Sequence, residues 1–224
     1  MRALDQLHDK GLNFDPGSRP RSSARDGWHI DDYRQPLPSE PPGEPVAGGP
    51  WEIARRLMAA YEFADPKIIR AFYVPGMPLS RRDMILVARF YGLRFYLGVR
   101  VGGVIDGTRI VDGRRIRVWG WNYRTLQGHL EMGQMDYEVW KWLDSGQVEF
   151  RIHAFSKPAL IPNPLVRLGF RLFGRWMQRR FATNACKRMR RLVAAALGEN
   201  AGDAEPMGPP RLADRIRLHH AHRS

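Results

Sequence analysis

Residues 119–157 read WGWNYRTLQGHLEMGQMDYEVWKWLDSGQVEFRIHAFSK, and their alternation decides the fold. Two strands flank a connection containing Gly128 and His129, and a tight hairpin closes at Asp144-Ser145-Gly146-Gln147. Successive side chains of a strand point to opposite faces. Laid out in that way, Tyr137, Val139, Leu143, Val148, Phe150, Ile152 and Ala154 share one face, with Lys141 as the exception. The other face carries Asp136, Glu138, Trp140, Trp142, Glu149, Arg151, His153 and Phe155. The first is a core surface; the second mixes tryptophan with charge. This register sets Glu138 opposite His153 and Trp140 opposite Arg151, at cross-strand contact distance.

Upstream, Ile116, Val118 and Gly120 separate in the same way from Arg115, Arg117, Trp119, Trp121 and Tyr123, which extends the tryptophan-and-charge face over two strands. Asp112-Gly113 between extended flanks signals a two-residue hairpin. From Asp83 to Ile105, β-branched and aromatic residues interrupted by glycine describe bent strands. Before them, Pro50 opens a helix that runs through Phe63, with Ile53, Leu57, Ala60 and Tyr61 as its apolar side. Asp65 then N-caps a short helix over KIIRAFY, ended by Pro75-Gly76. Residues 27–50 hold too much proline and glycine for a helix or a central strand. Trp28, Ile30 and Tyr33 punctuate them, so they read as an extended arm laid on the domain. Residues 1–26 and 199–224 read as flexible ends, leaving residues 27–198 as one domain.

The last element is a long helix, capped by Asn163, with Pro164 at its first position and its end at Gly198. It is rich in arginine and carries no acidic residue. Its early apolar residues (Leu165, Val166, Leu172, Phe173, Trp176, Met177) and its late ones (Phe181, Ala185, Met189, Leu192, Ala196) fall on different sides of a helical wheel. One straight stripe does not serve both, which predicts a bend, a break or a change of partner near Gln178–Arg180.

A net charge of +13 and a pI near 10.6 invite phosphate-bearing partners. Lysine stands only at Lys10, Lys67, Lys141, Lys157 and Lys187, so the excess is arginine, as a GC-rich genome also produces. No helix-turn-helix, RNP-like strand, KH loop or zinc-finger spacing is present, which weighs against nucleic acid; an anionic membrane surface fits the charge as well. No apolar run of about 18 residues or signal-peptide core is seen. A single cysteine, Cys186, leaves no internal disulfide or thiolate-rich metal site and points to a reducing compartment, the cytoplasm. Asp83, Asp106 and Asp136 lack metal-like spacing, and no GxSxG, Walker, HExxH or GxGxxG pattern occurs. No metal and no cofactor are therefore expected.

Titratable candidates remain in Leu126-Gln127-Gly128-His129-Leu130-Glu131-Met132-Gly133. His129 beside Glu131, in a turn loosened by two glycines, has the chemistry of an acid/base pair near neutral pH. The plainer reading has His129 capping the turn by bonding backbone. His153 with Glu138 is a second such pair, or simply a cross-strand ion pair.

At these residues the chain resembles a family of uncharacterised bacterial and plant proteins whose signature is close to Y-G-T-L-P-G-H-P-E-x-G-E-E. Tyr123, Thr125, Leu126, Gly128, His129, Glu131 and Gly133 match it, followed by Ala154-Phe155-Ser156-Lys157-Pro158 and a basic helix from Pro164. Arg124, Gln127, Leu130 and Gln134 depart from it. The family is similar in layout to the START-like, birch-pollen-allergen-like helix-grip superfamily. The resemblance implies an α+β domain: a curved antiparallel sheet gripping a long C-terminal helix, with a cavity for lipids or other apolar small molecules. Helices at the front, hairpins in the middle and one long helix at the end agree with that independently. The implied function is binding of an apolar or lipid-like molecule, with Tyr91, Trp119, Trp121, Tyr123, His129, Glu131, Trp140 and His153 as ligand-binding candidates. Two alternatives stand beside it: a cyclase- or hydratase-like enzyme using His129 and Glu131, and a basic module for anionic membrane or nucleic acid.

Overall fold

A computed structural model describes residues 2–17, 27–90 and 92–200. Seven strands form one sheet, each antiparallel to its neighbours: β1 (His29–Leu37), β2 (Ile69–Phe72), β3 (Asp83–Phe90), β4 (Leu93–Val111), β5 (Arg114–Thr125), β6 (Glu131–Trp142) and β7 (Val148–Pro158), in the order β1-β7-β6-β5-β4-β3-β2. Helix α1 is Arg2–His8, α2 is Pro50–Ala59 and α3 is Pro164–Asn200. The sheet curves round, with α2 over β5, β6 and β7 on its concave face and α3 against β1, β7 and α2. This is the helix-gripping α+β arrangement that the hairpin-rich middle and the long last helix predict.

The hairpin signal at Asp112-Gly113 holds. Asp112 and Gly113 take φ of 49° and 74°, as a two-residue turn of matching twist demands, and join β4 to β5. A register shift between Val101 and Gly103 bends β4 where Gly102 lies; a Cβ there would strike Arg124 and Asn122 on the neighbouring strand.

The β6–β7 register differs from the sequence reading by two residues. Lys141 pairs with Val148, which sets Asp136 opposite His153, Glu138 opposite Arg151 and Trp140 opposite Glu149. The cause is a longer turn: Leu143 leaves the ladder and Gly146, at φ 73°, donates its N–H to Trp142 O at 2.8 Å. The aromatic residues also do not form one face. Trp119 pairs with Val139, Trp121 with Tyr137 and Tyr123 with Met135, so these three aromatics are concave and belong to the main core. Ile116, Val118, Trp140 and Trp142 form a separate cluster on the convex face, where Arg151 and Arg114 lie over the two indoles at 3.6 and 4.3 Å. Alternation sorts each strand into two sides but does not say which side of one strand joins which side of the next.

Four further expectations change. The first helix stops at Ala59, because Tyr61 takes φ 60° and turns the chain so that its ring packs on Phe63, Trp121 and Tyr137. KIIRAFY is not a helix: Asp65 organises a turn through its carboxylate and carbonyl, and Ile69–Phe72 becomes the edge strand β2. Part of the proline-rich arm is strand β1, whose Pro36 sits on a sheet edge where a missing N–H is tolerated. Within residues 1–26, the described segment 2–17 is anchored. Leu4 and Leu7 are buried against Leu126, Arg100 binds the Leu7, His8 and Lys10 carbonyls, and Phe14 packs on Trp28 and Phe155. The expected C-terminal tail from 201 lies outside the described residues.

Helix α3 runs unbroken, and what changes along it is its partner. Phe181, Ala182, Ala185, Cys186, Met189 and Val193 are buried in the core, whereas Leu165, Leu168, Leu172 and Trp176 are exposed. Burial pushes the Cys186 thiol up to about 11, as suits a small apolar core residue rather than a nucleophile.

Candidate functional site

Where α3 crosses the end of the sheet, a cavity of about 40 Å³ remains between Asp31 and Tyr33 of β1, Tyr123 and Thr125 of β5, Glu131 and Met135 of β6, Ala154 and Ser156 of β7, and Gln178 and Ala182 of α3. His129 lines it from the β5–β6 turn. The volume corresponds to about two or three waters. Beside it the concavity is packed with rings: Tyr61 and Phe63 beyond α2 reach Tyr137, Trp121 and Phe150, with ring centroids 4.6–6.2 Å apart. The room left over is thus smaller and more mixed in polarity than the resemblance implies.

Glu131 is the chemical centre of the cavity. Its Oε1 accepts from Gln178 Nε2, which also reaches Ser156 Oγ at 3.0 Å. Beside them Arg175 holds Asp31 through both guanidinium nitrogens, with Nη2–Oδ1 at 2.5 Å, and donates from Nη1 to Gln178 Oε1 at 3.2 Å. Burial raises the Glu131 pKa to about 7, against the lowering pull of Gln178 and Arg175. Near neutral pH this carboxyl therefore exists in both forms. It is placed by Asn13, which donates to Glu131 O at 2.7 Å and accepts from Thr125 Oγ1 at 2.6 Å. Gly133 completes the local geometry: φ is 154°, and a Cβ there would strike the Phe155 carbonyl of β7.

His129 takes the plainer of its two roles. Its Nδ1 accepts the Glu131 N–H at 2.9 Å, and its backbone N–H donates to Leu126 O at 3.0 Å, so the residue closes the turn from both sides. Burial depresses its pKa to about 4. The imidazole is neutral at pH 7, with its proton on Nε2 because Nδ1 is an acceptor. Tyr123 stands over the cavity with its hydroxyl pushed up to about 12 by burial.

Of the expected ligand residues, Tyr123, His129 and Glu131 meet at the cavity. Trp121 and Trp119 lie on the same concave face but deeper in the core, Trp121 bonding Met58 O at 3.2 Å. Trp140 and His153 are on the convex face; His153 pairs with Asp32 at 2.8 Å and Glu138 with Trp140 Nε1 at 2.5 Å, so the expected Glu138–His153 pair does not form. Tyr91 lies outside the described residues. Asp31, Arg175, Gln178 and Ser156 were not anticipated. Ser156 shares the parity of Ala154 and Ile152, a signal present in the alternation, whereas Gln178 and Arg175 reach the cavity only through the docking of α3. Among the described residues, no group of three or more His, Cys, Asp or Glu is placed to hold a metal, and no helix is long and apolar enough to cross a membrane.

Residues 15–188 match the model of a domain of unknown function, DUF1990, and the chain belongs to that family. No curated protein matches it. Among solved structures it is similar to TTHA0849 from Thermus thermophilus at 8% identity and TM-score 0.45, over 75% of this chain and 99% of that one. The Zhui aromatase/cyclase from Streptomyces sp. R1128 gives 10% and 0.44 over 79% and 99%, and Ara h 8.0201 gives 10% and 0.44 over 75% and 99%.

Proposed function

We propose that this domain binds a small, largely apolar molecule bearing one hydroxyl or carbonyl group, whose polar end is held by Glu131. The observation that carries the reading is a carboxyl near neutrality, one oxygen engaged by Gln178, in a cavity whose wall combines Tyr33, Tyr123, Met135, Ala154 and Ala182 with the polar Asp31, Thr125, His129 and Ser156. Such a group donates when protonated and accepts when ionised, so it suits either polar end. A molecule larger than the present cavity must displace Gln178 and Ala182. Gln178 is held there by polar contacts with Glu131 and Ser156, which water can replace.

Native mass spectrometry of freshly purified protein tests this. The expected result is a bound apolar mass that is depleted in Ala154→Trp, which fills the cavity, and in Glu131→Ala. Protein without adduct that also binds no fluorescent fatty-acid analogue overturns it.

A cavity enzyme is a second reading, favoured by the same carboxyl, since a group near pKa 7 both gives and takes a proton efficiently. Glu131 would then act without His129, whose Nδ1 is committed to backbone. Conversion of the co-purified molecule by the wild type and not by Glu131→Gln distinguishes it from binding alone.

A further inference from the structure

The first half of α3 has an exposed apolar side. Leu165, Leu168, Leu172 and Trp176 are 79%, 56%, 63% and 49% exposed, and Leu160 ahead of the helix is 98% exposed. Their spacing of three and four residues puts them in one stripe along the helix. At about 100° per residue, that stripe is turned by roughly 120° from the one that Phe181, Ala185, Met189 and Val193 present to the core. Packing α3 on the sheet therefore leaves the early stripe outward by geometry. Contiguous apolar surface of this kind marks an interaction site more often than chance scatter.

The charges around the stripe choose the partner. Arg171, Arg179 and Arg180 are exposed on the same half-helix and flank the stripe, Arg180 lies 5.1 Å from the Trp176 ring, and α3 from Pro164 to Gly198 contains no acidic residue. A second copy joined about a two-fold axis would bring this basic set against itself. A layer of anionic headgroups over hydrocarbon complements both features at once: leucines enter the acyl boundary while arginines extend their stems to the phosphates. The helix lies on such a surface rather than through it, because none of the described helices is long and apolar enough to span.

We infer that Leu160 and the first half of α3 form an interfacial docking surface for an anionic lipid bilayer. The surface is separate from the cavity, and its test does not involve a bound ligand.

The full chain is co-sedimented with vesicles of phosphatidylcholine alone and of phosphatidylcholine with about 30% phosphatidylserine, at low and high salt. Binding is expected on the anionic vesicles, weakening with salt. Arg171→Gln should lower the partition coefficient about fivefold, the worth of one basic residue at such a surface. The triple change Leu165→Ser, Leu168→Ser, Leu172→Ser should lower it at least tenfold. These residues are exposed, so an unchanged melting temperature verifies that each variant is folded. Equal binding to neutral and anionic vesicles, or none to either, overturns the proposal. So does dimerisation in the ultracentrifuge that the leucine changes abolish, which assigns the stripe to a second copy, or salt-sensitive binding to duplex DNA in place of vesicles.

Discussion

The two ends of β6 both place a charged side chain on the concave face, and they do so in opposite ways. At the far end Lys141 is fully buried with Glu40, the two side chains 2.7 Å apart and neither exposed. Glu40 further accepts Trp51 N–H at the start of α2 and Val46 N–H, while Lys141 donates to Glu44 O at 2.8 Å. At the near end, about 33 Å away along the strand at some 3.3 Å per residue, Glu131 has an amide and a hydroxyl for company and a cavity beside it. The difference separates two uses of buried charge. A pair that satisfies itself fastens the loop after β1 and the start of α2 onto the sheet. A carboxyl with no opposite charge in direct contact stays titratable and available to a ligand.

The sharpest way to break this comparison is at the closed end. Lys141→Met leaves Glu40 buried with no cation and should lower stability by about 3–5 kcal/mol, whereas the double change Lys141→Met, Glu40→Leu should recover most of it. Urea unfolding of the three proteins measures this; equal losses in the single and double variants would show that the pair is not the fastener.

At the open end the effect should depend on pH. Glu131 titrates near 7 when folded against an ordinary value near 4.5, so its contribution is fully present below 4.5 and is lost as pH rises through 7. Glu131→Gln should therefore stabilise the protein by up to about 3 kcal/mol at pH 8 and by almost nothing at pH 4. His129 runs the other way. Its folded value of about 4 lies below the ordinary 6.5, so stability is present above 6.5 and lost as pH falls toward 4. Thermal melts across pH should show a maximum near pH 5–6 that widens toward alkali in Glu131→Gln. An unchanged alkaline limb would mean that Glu131 is not buried in solution.

The glycines next to these groups sharpen the comparison further. A Cβ on Gly146 would strike the Glu40 carbonyl and a Cβ on Gly133 the Phe155 carbonyl, both at positive φ. Gly133→Ala and Gly146→Ala should each cost roughly 2 kcal/mol or more. Of the two, only Gly133→Ala should move the His129 resonance in an NMR titration. Smallest of all, Gln178→Ala should cost about 1 kcal/mol. It should also raise the Glu131 pKa further, since the bond it removes favours the ionised form.

Legibility followed the range of the interactions. The Asp112-Gly113 turn and the inward set Tyr137, Val139, Phe150 and Ile152 were readable because a turn needs only local φ and a face needs only period two. Lys141 stood out as a polar residue on an apolar face, but Glu40, which explains it, lies in a proline-rich loop about one hundred residues away. Trp140 could not be separated from Trp121, because the parity of each strand is internal to it and the pairing Trp121–Tyr137 is a tertiary fact. KIIRAFY satisfied helix rules, yet Ile69–Phe72 pairs with β3 as the edge strand, a long-range contact that no local rule contains. At the cavity, His129 and Glu131 were visible as chemistry in a turn; Gln178 and Arg175, which govern Glu131, were not.

The sequence was enough for the hairpins of the middle of the chain and the two sides of each of their strands, the long basic helix with its two mismatched stripes, and the turn that holds His129 and Glu131. These depend on contacts a few residues apart, where side-chain periodicity and glycine conformation suffice. Tertiary structure alone decided the strand register, the division of tryptophans between core and convex face, the anchoring of residues 2–17, and the closure of the cavity by α3. Each of those depends on which of several locally equivalent surfaces are brought together. That choice is made by the total area buried and the polar groups satisfied across the whole domain.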